Sequence, residues 1–147
     1  INKSIKSINC IKNTSFFIDI NGDLYSCGSN WNGFNGIGNT CHGKYKITRI
    51  NNYFNNNKCI KVDIGSEHII GLTKSGQIYG WGRNDEYQLS QLNQNRSYYS
   101  PKLIKFPNYH KYNTIIIDIF CGYYNTFAID NQYNIWVFGC NSDKECL

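Results

Sequence analysis

The sequence predicts an all-β domain of small antiparallel sheets packed face to face and arranged radially, as the blades of a propeller. Three observations predict it. The chain repeats itself: the pattern that ends at Gly28 recurs at Gly82 and Gly139, displaced by 54 and then 57 residues, and a fixed period of this size marks a repeat architecture. Within each copy, apolar residues alternate with period two, the signature of strands. A further strand in each copy is apolar on both faces, so it has to be covered on both sides. One such sheet cannot bury its own faces, and radial repetition is an economical closed solution.

The elements follow in chain order. Each copy opens on an apolar stretch ending near Ile11, Ile64 and Cys121. A turn follows, holding Gly65 in the second copy and Gly122 in the third. The alternating strands then read Phe16-x-Ile18-x-Ile20, Ile70-x-Leu72 and Phe127-x-Ile129. Asn21-Gly22 and Ser75-Gly76 are hairpin signals, and Gln132-Tyr133 stands at that place in the third copy. The next strands carry Leu24, Tyr25 and Cys27; Ile78, Tyr79 and Trp81; Ile135, Trp136 and Phe138. Each closes on Gly-x-Asn at Gly28, Gly82 and Gly139. Trp81 and Tyr79 are expected in the core between sheets, together with Ile70 and Leu72. Repeat one covers about 5–58, repeat two 59–114 and a truncated repeat three 115–147, within a single domain.

The second copy, Gly65-x-x-His68-x-x-x-Leu72-Thr-x-x-Gly76-x-Ile78-Tyr79-x-Trp81-Gly82-x-Asn84, resembles the repeat of the regulator of chromosome condensation family. The spacing exceeds the roughly 40–45 residues of a WD-repeat blade and the about 50 of kelch. The other copies depart from the pattern: Thr14 and Asn125 replace the His, Cys27 and Phe138 the Trp, and Tyr133 the hairpin Gly. The resemblance implies a seven-bladed propeller, of which this chain supplies about two and a half blades. It further implies fourth strands at 45–50 and 101–106, and exposed loops at 51–58 and 107–113.

Composition narrows the function. The chain has 147 residues, 41% of them hydrophobic and 16% aromatic, with two Pro; this suits a packed core and excludes a disordered tail. No apolar run approaches the roughly 18 residues of a membrane helix. Met is absent, so the chain reads as a fragment or a processed piece, with any targeting information at the true N-terminus out of view. The net charge of +5 comes from scattered Lys, whereas a nucleic-acid site needs a basic cluster. Seven Cys stand at 10, 27, 41, 59, 121, 140 and 146 without any C-x-x-C pair. Reduced thiols in an intracellular protein, nucleus or cytoplasm undetermined, fit better than disulfides or a metal; the adjacent Cys41 and His42 have no matching pair of ligands. Three Asn-x-Ser/Thr matches, at Asn2, Asn13 and Asn95, are expected by chance among 22 Asn.

No catalytic constellation emerges. His68 has no recurring nucleophile or acid in a triad-like arrangement and reads as a brace of its own turn. Gly33, Gly36 and Gly38 lack the Lys-Ser/Thr of a phosphate loop. Asp63, Asp118 and Asp130 show no pairing suited to acid–base work. No enzyme activity and no cofactor are therefore expected. By resemblance, the chain belongs to a protein-binding propeller acting as a guanine nucleotide exchange factor for a small Ran-type GTPase, with chromatin as a further partner; the alternative is a non-catalytic scaffold in a larger protein such as a ubiquitin ligase. Arg83, Asp85, Glu86 and Tyr87, with Asp143 and Lys144 in the third copy, form the expected partner-binding loops. The outer faces of the first repeat (Phe16, Ile18, Tyr25) or of the third (Phe127, Ile129, Trp136) are expected to be uncovered, so further blades or self-association should cover them.

Overall fold

The computed structural model describes residues 3–39, 46–90, 97–105 and 114–140. Sheet one takes β1 (Ile5–Ile11), β2 (Thr14–Asp19), β3 (Leu24–Gly28) and β4 (Thr48–Arg49) in that spatial order. Sheet two repeats it with β5 (Cys59–Ile64), β6 (His68–Thr73), β7 (Ile78–Arg83) and β8 (Ser97–Leu103). Sheet three holds β9 (Ile116–Cys121), β10 (Asn125–Asp130) and β11 (Ile135–Gly139). Every pairing is antiparallel, and no α-helix occurs among the described residues. The fold is all-β, built from small antiparallel sheets stacked face to face. The fourth strand of sheet two begins at Ser97, ahead of the expected 101–106, and that of sheet one is only two residues long.

The three hairpins between second and third strands share one geometry. Gly22, Gly76 and Tyr133 each donate an N–H to the last residue of the preceding strand, Asp19, Thr73 and Asp130, at 2.9 Å. All three turn residues have left-handed φ, +76°, +76° and +63°, as a three-residue loop with a bulge requires. The side chain at the strand end caps the turn. Asp19 Oδ1 accepts from the N–H of Asn21 and Asp23, Asp130 Oδ1 from those of Gln132 and Asn134, and Thr73 Oγ1 from that of Gln77. Asp130 is thus a hairpin cap. Burial alone would raise its carboxyl pKa, but the hydrogen bonds from Asn134, Trp136 and the turn hold it below the ordinary range.

Packing follows the strand period. Across β6 and β7, Ile69 faces Trp81 and Gly71 faces Tyr79, whereas Ile70 faces Gly80 and Leu72 faces Ile78. The first set packs on Phe16, Ile18, Leu24, Phe34 and Phe54 at the seam with sheet one. The second joins Leu89, Ile104, Ile116, Ile119 and Ala128 at the seam with sheet three. Trp81 and Tyr79 therefore do not share a core with Ile70 and Leu72; they lie on opposite faces of one sheet, because adjacent strand residues point oppositely. Phe16 and Ile18, expected on an uncovered face, are buried against sheet two, and Tyr25 is 6% exposed beneath Lys3. Trp136 likewise turns toward sheet two. The uncovered far face belongs to Phe127 and Ile129, half-buried, with Ile135 exposed; the Phe120 ring beside them is capped by Lys61 Nζ at 4.1 Å. The segment 51–58 is no simple exposed loop: Asn51 and Phe54 are buried, and Asn51 Nδ2 donates to Asp23.

Candidate functional site

Antiparallel connectivity brings the turns after β1, β5 and β9 to the same end of the sheets as the chain leaving β3, β7 and β11. In all three blades the residue after the third-strand Gly, or the strand's last residue, closes on that turn. Ser29 N–H donates to Asn13 (2.8 Å), Arg83 to Glu67 (2.8 Å) and Cys140 to Tyr124 (3.1 Å). Gly28, Gly82 and Gly139 permit it: they hold φ of +101°, +92° and +130°, and a Cβ there would meet those turn carbonyl oxygens at 2.0, 2.6 and 2.2 Å. This loop face is where exposed chemistry collects.

The loop after β7 carries the expected partner residues. Arg83 is held on both sides, Nη1 to Glu67 Oε2 at 2.8 Å and Nε to Asp85 Oδ2 at 3.0 Å, with Tyr124 6.0 Å beneath it. The two carboxylates raise its pKa further and keep it charged. Arg83 therefore clamps two loops. Asp85 and Tyr87 are exposed and Glu86 is half-buried. Tyr87 holds a left-handed φ of +58° where the first copy has Gly33 at +72°. Asp143 and Lys144 lie outside the described residues, as do Cys41 and His42.

His68 does not brace its own turn, which the backbone closes through Gly65 N–H to the His68 carbonyl (2.9 Å). The ring crosses to sheet three, with Nε2 3.0 Å from Thr126 Oγ1. The Thr126 hydroxyl donates onward to the Gln88 carbonyl at 2.7 Å, so it accepts from His68 and the ring is the neutral Nε2–H tautomer. Burial lowers the His68 pKa to about 4, which keeps it uncharged. Gly65 lies directly under the ring, where a Cβ would stand 2.1 Å from His68 Cε1; Gly122 occupies the corresponding turn of sheet three. These are structural arrangements, and among the described residues no cluster of His, Cys, Asp and Glu could hold a metal ion.

Residue patterns alone missed a groove of about 160 Å³ on the loop face at the seam of sheets one and two. Lys12 and Asn13 enter it from the turn after β1, Trp31 and Asn32 from the loop after β3, and Ser66 and Glu67 from the turn after β5, over a floor of Phe34. One signal could have pointed there: Trp31 aligns with Asp85, so its aromatic ring is not a repeat core position.

A model of the regulator of chromosome condensation (RCC1) repeat matches residues 75–129, and a second RCC1 repeat model matches 59–88. The serine/threonine-protein kinase Nek9 of Mus musculus is 26% identical over 139 residues, covering 95% of this chain and 14% of the kinase. The structure of human WBSCR16 superposes with a TM-score of 0.84 at 19% identity, over 95% of this chain and 34% of that one. Prp20p of Saccharomyces cerevisiae, studied with its binding to Gsp1p and histones, superposes with a TM-score of 0.66 at 28% identity, over 82% of this chain and 30% of that one. The chain thus spans a small part of its relatives' length. No helix among the described residues is long and apolar enough to cross a membrane.

Proposed function

This chain carries RCC1 repeats folded as consecutive propeller blades, and on that premise we propose that it forms part of a protein-binding platform. The observation that carries the proposal is the division of labour in the blades. Strand interiors are consumed by sheet-to-sheet packing, while turns and loops from all three blades gather polar and aromatic side chains on one rigid face, as a protein interface requires.

The partner proposed is a small GTPase of the Ran type, with the intact protein promoting nucleotide release. Binding to Gsp1p, studied for Prp20p, supports this reading, and histones studied with the same protein make chromatin a further candidate. The proposed exchange needs no cofactor, because the propeller would act by distorting the GTPase's nucleotide site. The second reading, a scaffold propeller inside a multidomain protein, draws on Nek9, of which the matched region is 14%. On either reading the far face of sheet three is covered by further blades or by a second copy of the chain.

Nucleotide release tests the proposal. The full-length protein is mixed with a Ran-type GTPase loaded with fluorescent GDP. Faster release supports exchange. Stable binding without release favours the scaffold, and no binding overturns the GTPase assignment.

A further inference from the structure

We propose that the groove between the first two blades receives a partner segment that pairs an acidic side chain with an apolar one. The inference rests on the protein-binding reading of the loop face and names the chemistry that one part of it recognises.

Among the described residues, Lys12 Nζ reaches only the Ser66 carbonyl, at 3.4 Å, and no carboxylate lies within ion-pair distance of it. Across the groove, the Glu67 carboxylate is engaged by Arg83 at 2.8 Å. Among the described residues that line the groove, Lys12 is therefore the cation left to a visitor, and a carboxylate is its complement. A nucleic acid would need several cations in a row, and the described residues lining the groove offer Lys12 alone.

The apolar half of the groove is Trp31, 64% exposed above Phe34, which is 9% exposed. Trp31 is not held out by a loose loop. Gly33 N–H donates to Asn30 (3.2 Å), Phe34 N–H to Trp31 (3.0 Å) and Gly36 N–H to Gly33 (2.8 Å). Asn30 Oδ1 accepts from Asn35 N–H at 3.0 Å, and Asn35 Nδ2 donates to Gly28 at 2.9 Å. An aromatic ring presented on a loop so closely bonded has already lost its conformational freedom, which lowers the cost of binding. The groove's volume suits one apolar side chain laid against the indole, with the acidic neighbour reaching Lys12.

The test pans a phage-displayed library of random dodecapeptides against the full-length protein, then measures the enriched peptides on variants by fluorescence anisotropy. Enriched sequences should place Asp or Glu beside an aromatic or aliphatic residue. Trp31→Ala and Lys12→Glu should each weaken them about tenfold or more, and Lys12→Arg should retain them. Both side chains are exposed, so unchanged melting temperatures would show the variants intact. Enriched peptides indifferent to both positions would overturn the groove while leaving a platform elsewhere on the face. Absence of enrichment, or enrichment of basic peptides, would overturn it as well. So would a labelled single-stranded DNA that binds through Lys12 and Trp31; the nucleotide-release assay decides the platform separately.

Discussion

His68 of β6 and Thr126 of β10, 58 residues apart in the chain, meet at 3.0 Å across the seam of sheets two and three. The contact ties blade to blade through a fully buried neutral imidazole, and its proton inventory sets a pH dependence. Burial lowers the folded pKa to about 4 from 6.5. Above pH 6.5 neither state binds the proton, so the contribution of this group to stability is fully retained. Between pH 6.5 and 4 only the unfolded state takes it up, and stability falls by roughly 3–4 kcal/mol before levelling off. His68→Gln should flatten that limb in urea unfolding measured as a function of pH. An unchanged slope between pH 6.5 and 4 would remove His68 as its source.

Trp81 is fully buried with edge-to-face contacts to Phe16 (5.8 Å) and Phe54 (6.3 Å), and Nε1 donates to the Phe34 carbonyl at 2.9 Å. Trp81→Ala should destabilise by roughly 3–5 kcal/mol through the cavity at the first seam. Trp81→Phe keeps most of the volume but strands the Phe34 carbonyl, for about 1–3 kcal/mol. Chemical denaturation of both variants separates the packing share from the hydrogen-bond share.

Tyr133 holds a left-handed φ of +63° with its side chain 81% exposed. Tyr133→Gly removes strain of about 1–2 kcal/mol and adds back some unfolded-state entropy, leaving a gain of about 0.5–1 kcal/mol. The reverse change in the sister hairpin, Gly76→Tyr, should be strongly destabilising, because a Cβ there meets Ile115 Cγ2 at 2.3 Å. Thermal unfolding should move in opposite directions for the two.

Cysteine reactivity should divide by environment. Cys10 is exposed, whereas Cys59 is buried and desolvation pushes its thiol up to about 12. Since only the thiolate reacts, iodoacetamide at pH 8 should label Cys10 early and Cys59 only on unfolding. Mass spectrometry of timed samples reads the order; early labelling of Cys59 would contradict its packing at the first seam.

The amino-acid sequence by itself determined the repeat, the class of fold and the placement of the first three strands of each sheet, because period-two alternation and left-handed turns are local demands of the backbone. It equally marked the glycines that close the loops, since each sits where a Cβ has no room. The tertiary structure alone decided how those strands share their side chains. Trp81 and Ile70 look alike along the chain, yet strand pairing sends one to each seam. The fate of Arg83 depended on Glu67 folding back beside it, and that of His68 on Thr126 arriving from the next blade. Lys12, Trp31 and Glu67 became one groove only when two sheets stacked. Each of these outcomes rests on atoms brought together from distant parts of the chain, and no local pattern of residues carries that distance.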